Sequence, residues 1–357
     1  MKILIVGQQK EWAIEHHYQR YLAQWAEVEV FPVDDIFDEY YWASLKNKLK
    51  VKLGISSIYK KINKAFLEKI ATVEPDIVWV FKGMRIGPKA LKKAKKMGVL
   101  LANYNPDHPF QFSSAGSGNA NVTNSIGLFD LHFCYDKRVA ERIEKEFASQ
   151  TAILPFGYEL ADDVFQKAQA QQEVNAACFI GTCDPIRVQE VCALAAAGIE
   201  MHVHGDNWDK MLPAGTANVH IHPPVYGNDY WYALRRYRLQ LNIFRPHNIG
   251  AHNMRTFEVP AIGGIMLAPD SPDHRHYFEV GEEVFIYRSQ EEMIDQAKKI
   301  LAMSTDQASE VRQNAHLKSI TNGYSYEQRA RQAAEVFKKK LSSLSSIINH
   351  PPSTGHL

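Results

Sequence analysis

The chain has 357 residues, of which 45% are hydrophobic and 23% are charged, with a formal net charge of +1. This length predicts two domains, and the composition is that of a globular protein. A net charge so close to zero gives no overall field that would attract nucleic acid, so we predict no nucleic-acid partner. No window approaches the ~20 apolar residues of a membrane span, and the start is too quickly polar for a signal peptide. We therefore expect a cytoplasmic protein.

The first half of the sequence alternates short apolar strands with helical segments. Ile3–Val6 predicts a buried strand, and the residues from Glu15 to Trp25 have helical spacing. Further strands are predicted, with helices between them, at 29–33, 77–81, 99–104 and 130–135. This rhythm is typical of a doubly wound parallel sheet, so we predict an α/β domain over residues 1–155.

The rhythm restarts at Ala176–Gly181 and predicts a second α/β domain over residues 176–335. The polar, Gln-rich residues 156–175 read as a linker, and the Ser- and Pro-rich residues 341–357 as a flexible tail. Two such domains are expected to form a cleft, because ligands of these sheets bind beyond the carboxyl ends of the strands.

Two loops of the second domain offer groups to a diphosphate. One follows the strand that ends at Ile180 and leads into a helix, whose N-terminal amides and dipole favour an anion. The other is a polar loop after the strand that ends at Phe244; an ordinary loop with an asparagine N-cap is the alternative there. The residues predicted to contact the nucleotide-sugar here are Gly181, Thr182, Arg187, Arg245, His252, Asn253, Arg255 and Thr256.

The segment Asn253–Ala268 has the most informative pattern in the chain. Its apolar residues are spaced for a buried helical turn, and the glycines at 263–264 suit the end of that helix before a short buried strand. Glu258 is a carboxylate among these apolar positions and needs polar partners. We interpret it as an acceptor for the 2′ and 3′ hydroxyls of a ribose; an ion pair with Arg255 is the alternative.

Three segments carry a family resemblance. They are the run from Arg255 through Glu258 to the Gly-Gly-x-x-Leu strand, the segment Phe278–Tyr287 and the segment Gly323–Arg329. Together they resemble the C-terminal domain of GT-B glycosyltransferases, most closely the spore-maturation CgeB-like group. The resemblance implies a GT-B fold, with two Rossmann-like doubly wound parallel-sheet domains facing a central cleft. It also implies that the second domain holds a nucleotide-sugar donor and that Glu258 binds its ribose.

The resemblance further assigns the nucleotide base to the region of His204, Gly205 and Tyr226, with Trp208 as a second aromatic for stacking. One departure from the family bears on the mechanism. Retaining members with a glutamate pair carry the first glutamate eight positions before the second, and Gly250 stands there in this chain. We therefore expect an inverting mechanism.

An inverting transfer needs a general base, which the first domain should supply. The segment Asn103–Phe110 follows a strand and presents Asp107 and His108 together, although both residues also suit a turn cap. Glu15, beside the loop that leaves the first strand, is the competing candidate. Asp107 is slightly favoured.

No metal and no cofactor are predicted. His202, His204, His220 and His222 alternate along two strands, but no third ligand has convincing spacing, and the four cysteines match neither a zinc ribbon nor a redox motif.

A lysine-rich strip runs from Lys46 to Lys64 without an acidic residue. Such a strip suits anionic lipid, which would place the protein at the inner face of a membrane; a solvated hairpin or loop is the alternative. The function predicted from all these features is transfer of a sugar from a nucleotide-sugar to a glycan or lipid-linked acceptor. A sugar-nucleotide epimerase and a non-catalytic nucleotide-sugar-binding protein are the alternatives.

Overall fold

The structure is a computed structural model that describes residues 1–112, 116–245 and 250–349. The chain divides into two compact units. The first contains Met1–Pro155 together with the chain from Tyr326 onward, and the second contains Phe156–Ser325.

The first unit alternates strands and helices as the sequence predicts. Its elements before the second unit are β1 (Lys2–Val6), α1 (Ile14–Leu22), β2 (Glu27–Phe31), α2 (Val33–Trp42), α3 (Leu45–Lys52), α4 (Ile58–Val73), β3 (Ile77–Phe81), α5 (Pro88–Lys96), β4 (Leu100–Tyr104), α6 (Ala120–Ser125), a 3₁₀ helix (Ile126–Leu128), β5 (Leu131–Cys134), α7 (Lys137–Phe147) and β6 (Gln150–Ile153). The lysine-rich strip, for which a hairpin or loop was the alternative, begins with the helix α3.

The second unit repeats the alternation. Its elements are α8 (Asp162–Gln169), β7 (Val174–Ile180), α9 (Pro185–Ala196), β8 (Met201–His204), α10 (Trp208–Met211), β9 (Val219–His222), α11 (Gly227–Arg236), β10 (Tyr237–Leu241), α12 (Arg255–Ala261), β11 (Met266–Pro269), α13 (Pro272–Tyr277), β12 (Phe285–Tyr287), α14 (Gln290–Leu301) and α15 (Thr305–Thr321). The last helix, α16 (Tyr326–Asn349), belongs to the first unit.

Each unit is built on a parallel sheet of six strands. The order is β2-β1-β3-β4-β5-β6 in the first unit and β12-β11-β10-β7-β8-β9 in the second. If β7 to β12 are counted as strands one to six, the second order is the Rossmann order 3-2-1-4-5-6. The central strands are continuous apolar runs, because helices cover both faces of such a sheet; β3, for example, is buried along its whole length. The predicted fold class, two Rossmann-like α/β domains, is confirmed.

The division into units differs from the predicted domain boundaries at both ends of the second domain. The predicted linker 156–175 contains α8 and the start of β7 and belongs to the second unit. At the other end, α16 returns to the first sheet, where Phe337 packs edge-on against Trp79 and Phe133 with ring centroids 5.2 and 5.1 Å apart. Residues 326–335, assigned above to the second domain, therefore lie in the first unit. The predicted flexible tail is helical as far as Asn349, and 350–357 lie outside the described residues.

The buried cysteines Cys134, Cys178 and Cys183 and the half-buried Cys192 are free thiols. Among the helices of the described residues, none combines the length and the apolar character that crossing a bilayer requires.

Candidate functional site

The second sheet reverses its strand order between β7 and β10, which are neighbours in the sheet although far apart in sequence. Ligands of open α/β sheets bind beyond the carboxyl ends of the strands at such a point. The residues that follow β7 are Gly181 and Thr182, and the described residues that follow β10 end at Arg245. Both predicted phosphate loops therefore begin at the reversal point of the sheet.

The loop after β7 is held in place by its neighbour after β8. Gly181 donates its backbone N–H to the carbonyl of His204 (2.7 Å), and the indole of Trp208 donates to the carbonyl of Gly181 (2.9 Å). A Cβ atom on Gly205 would lie 2.2 Å from that carbonyl oxygen, so only glycine lets the two loops approach this closely. Asp184 then caps α9 by accepting from the N–H of Arg187 (3.1 Å).

Arginine side chains converge on this loop. The guanidinium carbons of Arg187 and Arg255 lie 5.1 and 5.9 Å from the centroid of the Phe179 ring. A terminal nitrogen of Arg255 lies 3.5 Å from the position that a Cβ on Gly181 would take. Arg187 also donates from Nη1 to the carbonyl of Thr182 (2.7 Å). We call Arg187, Arg245 and Arg255 the arginine cluster.

Arg187 pairs with a carboxylate, since its Nε lies 3.2 Å from Oδ2 of Asp184. Burial and the charges of Arg255 and Arg245 together lower the pKa of Arg187 to about 10, and Asp184 acts in the opposite direction. The Nε atom of Arg255 is buried and has no hydrogen-bond partner among the described residues. Because a buried, unpartnered guanidinium N–H is costly, this arrangement favours an anion with several acceptor oxygens.

Glu258 lies on α12, one helical turn after Arg255, and is 7% exposed. Its Oε2 accepts a hydrogen bond of 2.6 Å from the hydroxyl of Tyr230 on α11. Burial raises the pKa of the Glu258 carboxyl, while the charge of Arg255 and the Tyr230 hydrogen bond act in the opposite direction. The other carboxylate oxygen accepts no hydrogen bond from any described residue, so it remains able to accept one from a ligand. Tyr230 was missed from sequence because its only signal is an aromatic on a helix.

Three predicted donor-binding residues are instead engaged within the protein. His252 is fully buried; its Nδ1 contacts Asp273 (2.6 Å) and its Nε2 accepts from the N–H of Phe156 (3.3 Å). Asn253 accepts from the N–H of Thr256 (3.2 Å), which is the N-cap alternative named above. Thr256 is itself fully buried among side-chain partners. Since these polar groups already have partners, the three residues support the loop and leave the arginine cluster to meet the ligand.

The residues assigned to the nucleotide base have mixed placements. Trp208 is fully buried and cannot stack on a base, whereas Tyr226 lies just before α11 and is 66% exposed. His204 is buried beside Gly205, and its ring stacks on that of His222 (4.5 Å between centroids). Burial lowers the pKa of His204 to about 4, so its imidazole is neutral near pH 7.

The first sheet reverses its strand order between β1 and β3, and the candidate Glu15 lies at this point. Its Oε1 accepts from the N–H of Gln8 (3.2 Å). A Cβ on Gly7 would lie 2.6 Å from that oxygen, so the glycine admits the carboxylate to the end of β1. The pKa of Glu15 is raised to about 7, chiefly by burial, while hydrogen bonds from backbone N–H groups oppose the shift; of the nearby charges, Asp34 raises the pKa and Lys82 lowers it.

Asp107 and His108 both have polar partners within the first unit. Asp107 forms an ion pair with Lys82 (2.6 Å between Oδ2 and Nζ). Lys82 also donates to the carbonyl of Gly116 (2.8 Å). His108 accepts from the N–H of Phe110 (3.2 Å), as in the turn-cap alternative.

Solved structures share this fold over nearly the whole chain. Sucrose-phosphate synthase from Thermosynechococcus elongatus matches with a TM-score of 0.66 and 10% identity, covering 96% of this chain and 100% of its own. HepE from Anabaena, solved with UDP-glucose, matches with a TM-score of 0.63 and 13% identity, covering 95% of this chain and 100% of its own. The UDP-GlcNAc 2-epimerase from Neisseria meningitidis, bound to UDP-GlcNAc, matches with a TM-score of 0.58 and 13% identity, with the same coverage of 95% and 100%. At these identities the likeness establishes the GT-B fold.

The sequence of residues 187–335 matches the model of a family described as glycosyl transferase-like. This part of the chain is therefore glycosyl transferase-like in sequence, within a chain that has the GT-B fold. The matched region contains Arg187, Arg255 and Glu258, but it begins after the Gly181 turn. No curated protein matches the enzyme in sequence.

The buried carboxyl of Glu15 should make the stability of the protein depend on pH. Its folded-state pKa of about 7 lies above the usual 4.5, so its stabilising contribution is complete below about pH 4.5 and is lost as the pH rises through about 7. We expect Glu15→Gln to be more stable than the parent at about pH 8 and to lose less stability between about pH 5 and about pH 8. Urea unfolding across this range measures the difference.

Glu39→Gln is the matched control, because Glu39 is exposed on α2 in the same unit. Its pH dependence should follow that of the parent. Equal slopes for the parent and Glu15→Gln would show that the Glu15 carboxyl does not titrate abnormally in the fold.

Proposed function

We propose that the second unit binds a nucleotide-sugar donor and that the enzyme transfers its sugar to a hydroxyl of a glycan or lipid-linked acceptor. The observation that carries the proposal is the arginine cluster beside the Gly181–Thr182 turn, with the buried Nε of Arg255 lacking a partner among the described residues. A diphosphate supplies acceptor oxygens and negative charge to this cluster. The dipole of α9, whose N-terminus follows the turn, adds to the attraction.

The free oxygen of Glu258 is proposed to accept from a ribose hydroxyl while Tyr230 holds the other oxygen. Hydrogen bonds to a charged acceptor contribute about 1.5–3 kcal/mol each, so this contact should separate ribonucleotides from deoxynucleotides. Tyr226 is the candidate to stack on the base, since its ring is exposed. This arrangement is what the CgeB-like resemblance also implies, and we retain that group as a prediction.

The departing nucleoside diphosphate carries a developing negative charge, which Arg187 and Arg255 are placed to stabilise. We propose that they do so without a metal or another cofactor at this site. A preorganised positive charge needs no reorganisation at the moment of bond cleavage, which is the role that a metal ion has in other transferases.

Glu15 is proposed as the general base of an inverting transfer. A carboxyl with a pKa of about 7 is a stronger base than an ordinary glutamate and is still substantially ionised near neutral pH. It would accept the proton of the acceptor hydroxyl as the oxygen attacks the sugar and the diphosphate leaves from the opposite side. Lys82 lowers the pKa of Glu15 and so helps to keep it ionised between turnovers.

The donor proposal is tested with a thermal-shift panel of nucleoside diphosphates and their sugar conjugates. The ligand that binds should raise the melting temperature, with about 2.7 kcal/mol of stabilisation at a hundred times its Kd. Its affinity is then compared with those of its 2′-deoxy form and of inorganic pyrophosphate. We expect Arg255→Gln to weaken all three ligands, and Glu258→Gln to weaken only the ribonucleotide, by about tenfold.

Arg275→Gln serves as the control, because Arg275 lies on α13 and its side chain forms a surface ion pair with Asp270. The absence of binding by any nucleotide would refute the proposal. Equal weakening of pyrophosphate by Glu258→Gln would refute the ribose assignment. NMR of the bound sugar-nucleotide separates the two reactions: inversion at C2 without transfer would identify an epimerase.

The base proposal makes a kinetic prediction once the donor is known. Activity of the parent should rise as the pH passes through about 7, because only ionised Glu15 accepts a proton. Glu15→Gln should lower kcat by about 10²–10⁴-fold and leave donor affinity unchanged. If Asp107→Asn shows that loss while Glu15→Gln remains active, Asp107 is the base.

We propose that the acceptor side of the enzyme rests on an anionic membrane through α3. This helix buries none of its residues, and Leu45, Leu49 and Leu53 are 83%, 57% and 61% exposed at helical spacing. Lysines lie beside them, at positions 46, 48, 50 and 52. Each lysine near an anionic surface contributes about 1 kcal/mol, and the leucines can enter the headgroup region. A lipid-linked acceptor at the inner face of a membrane would then be within reach.

Vesicle co-sedimentation tests this surface. The enzyme should bind phosphatidylserine vesicles but not phosphatidylcholine vesicles, and Lys46→Glu/Lys50→Glu/Lys52→Glu should abolish binding. The control carries the same charge change on exposed α5 lysines, Lys92→Glu/Lys93→Glu/Lys96→Glu, and should bind like the parent. Equal loss in both variants would indicate attraction by net charge without a role for α3.

A further inference from the structure

The edge of the second sheet carries a column of histidines. β8 and β9 are parallel neighbours, with His202 opposite His220 and His204 opposite His222 in the register. Alternate residues of a strand point to the same face, so all four rings lie on one face. The rings are stacked: His202 lies 4.7 Å from His220 and 5.1 Å from His222, with interplanar angles of 21° and 11°.

A carboxylate joins this column from the residue before β8. One oxygen of Glu200 lies 3.3 Å from Nε2 of His202 and 3.3 Å from Nε2 of His220. The ligand atoms of these three residues all lie within 4.8 Å of one another. Sequence spacing missed the group, because its third member becomes a neighbour of His220 only when β8 and β9 pair.

The other nitrogen of His202 is already engaged. Its Nδ1 lies 2.8 Å from Nε2 of His222, so one of these two nitrogens carries the shared proton. When Nδ1 of His202 is the donor, its Nε2 presents a lone pair toward Glu200. This is the tautomer that metal-binding histidines adopt, since they donate the second ring N–H to a neighbour that orients the ring.

We propose that Glu200, His202 and His220 bind a divalent transition-metal ion of the zinc class, with His222 orienting His202. Two ligands of a tetrahedral zinc ion, each about 2.0–2.1 Å from the metal, lie about 3.3 Å apart, as the carboxylate oxygen and each Nε2 already do. Imidazole with one carboxylate suits zinc, cobalt, nickel and copper and does not suit magnesium or calcium.

The site is open to solvent on one side. The side chains of Glu200 and His220 are 55% and 52% exposed, whereas His202 is 13% exposed. Three protein ligands leave a coordination position for water. The ligands lie on or beside β8 and the edge strand β9, whereas the arginine cluster lies at the β7/β10 reversal point, so this inference does not depend on the proposed donor site.

Cobalt and zinc titrations of the full-length, untagged protein test the inference. After chelator treatment, Co²⁺ should give the visible absorption of a four- or five-coordinate site, and calorimetry should show Zn²⁺ binding that competes with it. The double variant His202→Asn/His220→Asn should lose the Co²⁺ absorption, and Glu200→Gln should bind more weakly. His276→Asn, at an exposed histidine of α13, should bind like the parent.

His222→Phe tests the orienting role without removing a ligand. Loss of a residue that orients a metal ligand typically weakens affinity by 10–100-fold, so we expect at least about tenfold weaker Zn²⁺ binding. Melting temperatures of the chelator-treated proteins show that each variant is folded. An unchanged Co²⁺ spectrum in the double variant, or no such spectrum in the parent, would overturn the proposal; equal affinity in His222→Phe would overturn the orienting role.

Discussion

Positive charge gathered at the end of β7 is the constraint around which the second unit is arranged. Arg187 and Arg255 lie close enough for their charges to interact, and Arg187 is largely buried, so the arrangement costs free energy that the ion pair with Asp184 offsets in part. Several independent contacts fix the backbone beneath them. The loops at Gly181 and Gly205 approach closely, the Trp208 indole donates a hydrogen bond to the Gly181 carbonyl, and Asp184 caps α9. Such rigidity lets a charged site persist without collapsing onto itself, which is what binding of a diphosphate requires.

The two sheets use the same topological position for opposite chemistry. At the reversal point of the second sheet, burial acts on guanidinium groups and favours an anionic ligand. At that of the first sheet, burial acts on the Glu15 carboxyl and raises its pKa to about 7. Desolvation disfavours the charged form in both places, but a carboxylic acid can respond by holding a proton, whereas an arginine keeps its charge and needs a counter-ion.

The candidate site was only partly predictable from sequence. Glu258 stood out because a carboxylate interrupts an apolar pattern, and the Gly181 turn because a strand runs through glycine into a helix. His252 was misleading: it lies in a polar loop by sequence, yet the fold buries it against Asp273 and the backbone of Phe156. Tyr230 carried only the signal of an aromatic on a helix, because its contact with Glu258 depends on the meeting of α11 and α12.

Local pattern determined the alternation of strands and helices and hence two doubly wound sheets, since a strand buried on both faces is continuously apolar whatever its neighbours are. Tertiary structure decided which residues of different elements meet. Examples are the packing of α16 on the first sheet, the ion pair between Lys82 and Asp107, and the approach of Glu200 to His220. Periodicity specifies which face of an element is buried, but strand order and register specify what that face contacts, and these are set by the packing of the whole unit.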